Sequence, residues 1–448
     1  MTYEEAIAWW YGRIDYERRS PLPGDLKLDD MRALLHLVGD PHRRVRVIHV
    51  AGSKGKGSTS AMLARILRAA GYRVGLFTSP HLCAVEERIQ ADGSPIARDE
   101  LAAIIDDIRT ALLPALTPTF FEVGTAAGFL HFVRRRMDLA VVEVGLGGRF
   151  DSTNVCDPLL SVITSISYDH TQVLGDTLGR IAFEKAGIMK PGRPVVSGVS
   201  GVSGMAVPEA RAVIERIARE RGCSLWQMDR DMTFEYEPGL VDDRPPRVAV
   251  RVHGRDWPAL EMRLLGAHQA ANAAVAIACV ERLRSLGLTI PEPAVREGLA
   301  RVDWPARLEV LGRSPWVVLD CAHNVASIQA LVDTLAESFP AGKRWLIFGV
   351  AGDKDLTGML GLLAPHFQHF LFTRFAQNQR GVPPEQLAER MRALAGVPCE
   401  VYATAADAWQ AARTQAGAND LIVATGSVFL AGELRPRMVL DIGQSGNA

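Results

Sequence analysis

What this chain of 448 residues lacks narrows the field before any motif is read. No apolar run approaches the ~20 residues that a membrane-spanning helix needs. The opening MTYEEAIAWW carries acids and aromatics where a secretory leader would have a basic stretch and an apolar core, so none is expected. Neither sign of charge is in excess. Fifty Lys and Arg face 51 Asp and Glu, a formal net charge of −1. That balance argues against a protein whose main work is coating nucleic acid or an anionic membrane. The short basic clusters Arg43-Arg44 and Arg134-Arg135-Arg136 read as solvated faces. Cysteine is sparse and scattered: Cys83, Cys156, Cys223, Cys279, Cys321 and Cys399 show no CxxC and no Cys–His metal spacing. Without a leader they are expected to be reduced thiols, and the cytoplasm is the expected compartment. Internal repeats and low-complexity tracts are absent from the sequence as well.

What is present is ordinary globular composition, 48% hydrophobic and 23% charged. The length suggests roughly three domain-sized units or two larger ones. EEAIAWWYGRI and LKLDDMRALLHLVG carry helical spacing. The short β-rich runs VRVIHV, YRVGLF, DLAVVEV, LLSVITSI and RPVVSG then alternate with helical stretches, which predicts a parallel sheet with helices on both faces. Residues 233–265 hold turn residues and alternating strands and read as a hairpin appendage, followed by the Ala-rich helix GAHQAANAAVAIACVERLRSLG. Past Asp303-Trp304-Pro305 a second alternating set begins with WVVLD, RWLIFGV, HFLFT and DLIVATG. The expected division is therefore 1–302 and 303–448, two α/β units with a cleft between them.

Residues 45–71 carry the most information. A strand runs into Gly52-Ser53-Lys54-Gly55-Lys56-Gly57-Ser58, and a helix starts at once. Glycines let successive N–H groups turn toward phosphate oxygens, and the helix N-terminus adds positive potential. Lys56 is placed to reach terminal phosphates and the Ser58 hydroxyl to hold Mg²⁺. Relative to the common GxxxxGK[ST] pattern the hydroxyl comes one residue later, so this is a variant phosphate loop.

Ligands of open parallel sheets sit at the carboxyl ends of the strands. The residues there are Thr78-Ser79-Pro80-His81, then Glu143 with Gly145-Leu146-Gly147-Gly148-Arg149, then Asp169-His170. Glu143, in an otherwise apolar run, needs a partner: a Mg²⁺ ion, or a salt bridge with Arg149. His170 reads equally as a metal ligand or as a satisfied buried histidine. GLGGRF is no dinucleotide fingerprint, because Phe150 stands where a third glycine is required. From the residues alone, Lys185 and Glu184 read as helix-face residues.

These blocks together resemble one family. GSKGKGST, LFTSPHL with EERIQADG, TFFEVG, EVGLGGRFDSTNV, ITSISYDHTQVLGDTLGRIAFEKAGIMKPG, GAHQAANAAVA, DWPARLEV, LDCAHN, FGVAGDKD and ATGSVFLAGELRP are similar, in matching order, to folylpolyglutamate synthase/dihydrofolate synthase of the ATP-dependent Mur ligase superfamily. The resemblance implies an α/β protein with an N-terminal P-loop ATPase domain and a smaller C-terminal Rossmann-like domain. It implies that ATP phosphorylates a dihydropteroate or folate carboxylate and that L-glutamate's amine attacks the acyl phosphate. By the same resemblance Ser58 and Glu143, with Ser79 and His170, are Mg²⁺ ligands for one or two ions. Lys185 matches a lysine that is carbamylated into a carboxylate-like ligand. Asn272 and Arg307 match nucleotide-binding positions, and Asp320 and His323 lie near the incoming glutamate or the nucleotide with Ser427. Arg88 is similar to an arginine that holds the acidic substrate. A monomer with small-molecule substrates and no nucleic-acid or membrane partner is implied.

The chain departs from the family pattern in four places. Cys321 stands where glycine is usual, Val325 where proline follows, and Ser53-Lys54 where Thr-Asn is commoner. RSPLPGDLKLDD, ahead of Met31-Arg32, is longer than usual and bears on the folate pocket. Two other readings fit the phosphate loop: a Mur-type ligase for a different carboxylate, and a P-loop phosphotransferase that forms no amide bond. Glutamate-dependent ADP formation separates the last from the rest.

Overall fold

The computed structural model describes residues 1–16, 25, 27–200, 208–376 and 380–445, and most of RSPLPGDLKLDD lies outside them. The N-terminal unit is built on strands β1 (Arg46–Ala51), β2 (Val74–Phe77), β3 (Ile89–Ala91), β4 (Ser94–Pro95), β5 (Leu139–Glu143), β6 (Leu160–Ile163), β7 (Val195–Ser197) and β8 (Leu225–Gln227). They lie in the order β4-β3-β2-β5-β1-β6-β7-β8. From β2 to β8 every pairing is parallel. The expected all-parallel sheet is corrected at one edge, where β3 and β4 run antiparallel. The cause is a two-residue Asp92-Gly93 turn with φ of +50° and +77°, the dihedrals a tight hairpin needs.

Alternation along β1 divides the core. Ile48 and Val50 face the helices Lys56–Ala69 and Ala267–Ser285, while Val47 faces the layer formed by Arg98–Ala111, Phe120–Arg134 and the N-terminal helices. Ala267–Ser285 is buried on nearly every side, and its small alanines let it approach both the sheet and the hairpin unit. That unit is a four-stranded antiparallel sheet of β9 (Met232–Glu237), β10 (Arg247–Val252), β11 (Arg255–Asp256) and β12 (Leu260–Glu261), larger than a single hairpin.

The C-terminal unit holds β13 (Glu309–Arg313), β14 (Trp316–Leu319), β15 (Arg344–Phe348), β16 (His369–Phe372), β17 (Cys399–Val401) and β18 (Leu421–Thr425), in the order β13-β14-β18-β15-β16-β17. All pairings are parallel except β13 with β14. Four strands were expected and six are present. The two additions are edge strands, where burial on one side only removes the continuous apolar run that marks a central strand. No helix of the described residues is long and apolar enough to cross a membrane, and all six cysteines are free.

Candidate functional site

The carboxyl ends of the parallel strands bring loops 52–55, 78–82, 144–149 and 164–170 to one rim. At Gly52 the backbone turns with φ of +152°, and a Cβ there would lie 1.9 Å from Thr164 Oγ1. Gly55, at φ +82°, starts the helix Lys56–Ala69, and its missing side chain leaves room for the Asn272 amide: a Cβ would lie 2.2 Å from Oδ1. Gly57 in turn is covered by the Trp304 indole, 2.9 Å from where a Cβ would stand. That contact accounts for the extra glycine between Lys56 and the buried Ser58. Neighbouring hydroxyls fix the loop. The Ser53 amide donates to Ser165 O (2.8 Å) and Ser53 Oγ donates to Ser167 O (3.0 Å).

Two lysines converge on this loop. Lys56 Nζ donates to the Gly52 carbonyl at 3.1 Å, and Lys185 Nζ donates to the same oxygen at 2.9 Å. Lys185 is buried, not a surface residue of its helix. Burial, and then the charge of Lys56, pull its amine down to about 7. Glu143, buried at the end of β5, is pushed up to about 7 by burial, against the pull of Lys56 and a 3.2 Å bond accepted from the Ser79 amide. The alternative partner, Arg149, instead lies 3.7 Å from Glu184. Asp169 accepts from Lys54 Nζ at 2.9 Å. Burial acts to raise it, but the Lys54 ammonium and His170 together hold it well below the usual carboxylate range. His170 adopts φ +49°, half-exposed, with Nε2 3.8 Å from Asp169.

A buried carboxyl with one backbone amide for a partner, the Ser58 hydroxyl in the first turn of the helix Lys56–Ala69 and the Ser79 hydroxyl on the neighbouring loop form an oxygen-donor set that suits a hard divalent cation. Among the described residues no three His, Cys, Asp or Glu side chains cluster as a metal site, so hydroxyl oxygens would have to complete the shell.

Other predicted residues occupy the cleft walls. Arg88 is buried, donates Nε–H to His81 Nδ1 at 2.8 Å and lies over the Phe120 ring. Asn272 Nδ2 donates to Gln269 Oε1 at 3.0 Å. Arg307 sits on the linker between Ala306 (φ +54°) and Leu308 (φ +49°), two non-glycine residues in the left-handed region, and its guanidinium touches Cys321 Sγ. Asp320 braces this stretch: one oxygen accepts the Leu308 amide (2.9 Å), the other the Ala322 amide (2.7 Å). Glu309 accepts the Ala306 amide at 2.9 Å and is itself gripped by Arg435. Ser427 is buried, and its hydroxyl accepts the Phe429 amide at 3.1 Å. His323 reaches Lys54 across the cleft at 3.5 Å.

Reading the sequence residue by residue passed over Trp304, Thr164, Glu309 and Lys354. Lys354, in the loop after β15, pairs with Asp353 at 3.1 Å, and its charge bears on Lys54, His170 and His323. A charged turn closing a buried strand, GDKD, was the available signal. Beside the linker lies a cavity of about 510 Å³ lined by Leu264, Leu265, Trp304, Arg307, Leu308 and Arg313 among others, a size in the small-molecule range.

A phosphate-binding loop on a parallel sheet, faced across a cleft by a second α/β unit, defines an ATP-dependent ligase of the Mur type. Residues 50–280 match the Mur ligase middle domain and residues 306–428 the Mur ligase glutamate ligase domain. The dihydrofolate synthase/folylpolyglutamate synthase of Bacillus subtilis is 33% identical over 98% of this chain and 99% of its own. Mycobacterium tuberculosis folylpolyglutamate synthase complexed with ADP superposes with a TM-score of 0.87 at 31% identity, covering 97% of this chain and 98% of that one. Escherichia coli FolC in complex with DHPP and ADP gives 0.82 at 30% identity, covering 98% of each chain. The chain belongs to the folylpolyglutamate synthase/dihydrofolate synthase family, whose members are ATP-dependent C–N ligases.

Proposed function

We propose that this chain uses ATP to join L-glutamate to dihydropteroate, to a reduced folate, or to both. The observation that carries this reading is the charge pattern at the cleft: Lys54, Lys56 and Lys185 gather at the phosphate loop, with Glu143 beside them and His323 opposite. A carboxylate is a poor acyl donor. Its oxygen attacks the γ-phosphorus of ATP, the bond to ADP breaks, and the resulting acyl phosphate carries a good leaving group. The glutamate amine then attacks the acyl carbon, phosphate departs and the amine loses a proton. Lys56 offsets charge on the transferred phosphoryl group, and the loop amides hold it in line. Arg88 steadies the acidic substrate, and Asn272 and Arg307 hold the nucleotide from either side of the linker, whose cavity suits a nucleoside. Asp320 and Ser427 keep the facing loops in shape.

Glu143, Ser58, Ser79 and His170 are the residues that would hold Mg²⁺, which supplies charge neutralisation for the phosphates when bound. Lys185 is proposed to be carbamylated, since an amine brought near neutrality is the form that adds CO₂. The units are proposed to divide at 302/303, and the protein to act as a monomer in the cytoplasm, where ATP and reduced thiols are found together.

The test is a product-mass assay with ATP, Mg²⁺ and glutamate, with dihydropteroate and tetrahydrofolate in separate reactions. Addition of glutamate to either supports the reading and says which acceptor is used. ATP hydrolysis without a mass gain in either reaction rejects it.

A further inference from the structure

We infer that Lys54 is a positioning residue that docks the C-terminal unit onto the phosphate loop through His323, an inference that rests on the ligase reading above. The lysine leaves the loop from a rigid point. Its amide donates to Ser165 Oγ at 3.0 Å, and its carbonyl accepts from Thr164 Oγ1 at 2.6 Å and from Ser165 Oγ at 3.0 Å. From there Nζ meets Asp169 at 2.9 Å within its own unit and His323 Nε2 at 3.5 Å in the other.

The histidine's tautomer follows from its second contact. His323 Nδ1 lies 2.8 Å from the Cys321 carbonyl, which can only accept. Nδ1 therefore carries the hydrogen and Nε2 is left as an acceptor, the complement of an ammonium that can only donate. The His323 amide is anchored as well, donating to Ser327 Oγ at 3.1 Å. Burial and the Lys54 charge keep the ring neutral, down at about 3, so the contact is not a repulsion between two cations.

An asparagine at position 54 would be too short to span from the loop to both partners. Lysine here ties any shift of the phosphate loop to a shift of His323 and the strand end that carries it. A second, uncharged contact joins the two units, where Cys83 Sγ donates to the Gly432 carbonyl at 3.5 Å. Gly432 packs against the Leu82 carbonyl so closely that a Cβ at position 432 would stand 1.9 Å from that oxygen. The units also meet through the Arg313–Asp242 ion pair and through the Val241 amide, which donates to the Ser338 carbonyl at 3.1 Å, so the Lys54 contact is the charged one that starts from the glycine-rich loop.

The experiment uses the full chain with Lys54→Met, His323→Leu and the double variant. Each single substitution is expected to lower kcat for glutamate addition by about tenfold, with a smaller rise in the KM for ATP. The double is expected to be no slower than the slower single, because the two residues act as one unit. Small-angle scattering of the ADP-saturated chain is expected to show a larger radius of gyration for Lys54→Met than for the native chain, and recovery in Lys54→Arg. Lys54→Asn, with an amide that suits this loop, stands in if the methionine variant fails to fold. Losses that multiply in the double variant, or scattering unchanged in both Lys54→Met and Lys54→Asn, overturn the inference. A native chain that adds no glutamate would reject the ligase reading alone, leaving scattering to decide the docking.

Discussion

The two α/β units present the same edge to the cleft and differ in how their buried polar groups find partners there. In the N-terminal unit the strand ends carry groups that burial has pushed away from their ordinary ionisation: Glu143 up to about 7 and Lys185 down to about 7, with Lys56 and Lys185 sharing one carbonyl. In the C-terminal unit burial displaces ionisation too, pushing His323 down to about 3 and Asp320 up, but most polar groups there have a partner on hand. Asp320 spends both oxygens on backbone amides, Ser427 binds the first turn of its helix, and His323 has a partner for each ring nitrogen. A carboxyl and an amine both brought near neutrality mark the side proposed to handle phosphate. Satisfied charge marks the side that must hold a shape while it docks. Chemistry and positioning are thus separated between two copies of a similar architecture.

That separation can be broken from the N-terminal side first. Lys56→Ala is expected to lower kcat by about 10³-fold while leaving the thermal midpoint nearly unchanged, because a loop lysine contributes little packing. Turnover at the native rate would end its phosphate role. Lys185→Ala is expected to lose about 10²-fold, with part recovered on adding formate or acetate, since a small carboxylate can stand where the carbamate would. A loss that no carboxylate relieves would argue for a simple ammonium role.

The C-terminal side should respond in stability. Asp320→Ala strands the Leu308 and Ala322 amides and releases a left-handed residue, an expected cost of about 2–4 kcal/mol read by denaturant unfolding. The smallest effect sharpens the contrast. The folded Lys185 amine sits at about 7 against an ordinary value of 10.5, so the folded chain binds fewer protons than the unfolded one between those values. The penalty is complete below pH 7 and fades as pH rises toward 10.5. Lys185→Met should therefore be more stable than the native chain at pH 7, by roughly 1–3 kcal/mol, and the gap should narrow by pH 9.5. A gap independent of pH would show that Lys185 folds without being depressed.

The glycine-rich turn between strand and helix was legible in the sequence because glycines, two lysines and a strand-to-helix switch within seven residues have few other uses. Glu143 was legible for a related reason, as a carboxylate inside an apolar run. Lys185 was not, because helical periodicity places it among partly polar neighbours and says nothing of the loop that closes over it from a strand more than a hundred residues earlier. The edge strands β13 and β17 escaped because EVLGR and CEV are half-exposed, and β3–β4 escaped although Asp92-Gly93 announced it. Nor could spacing have paired Lys54 with His323, whose meeting depends on how two separate sheets dock.

The linker carries a consequence for inheritance as much as for mechanics. Ala306 and Leu308 hold left-handed dihedrals that glycine would adopt with about 1 kcal/mol less strain at each. Glycine at either position would also free Arg307 to leave the cleft. A lineage selected for heat resistance and one selected for turnover would therefore part company at these two positions.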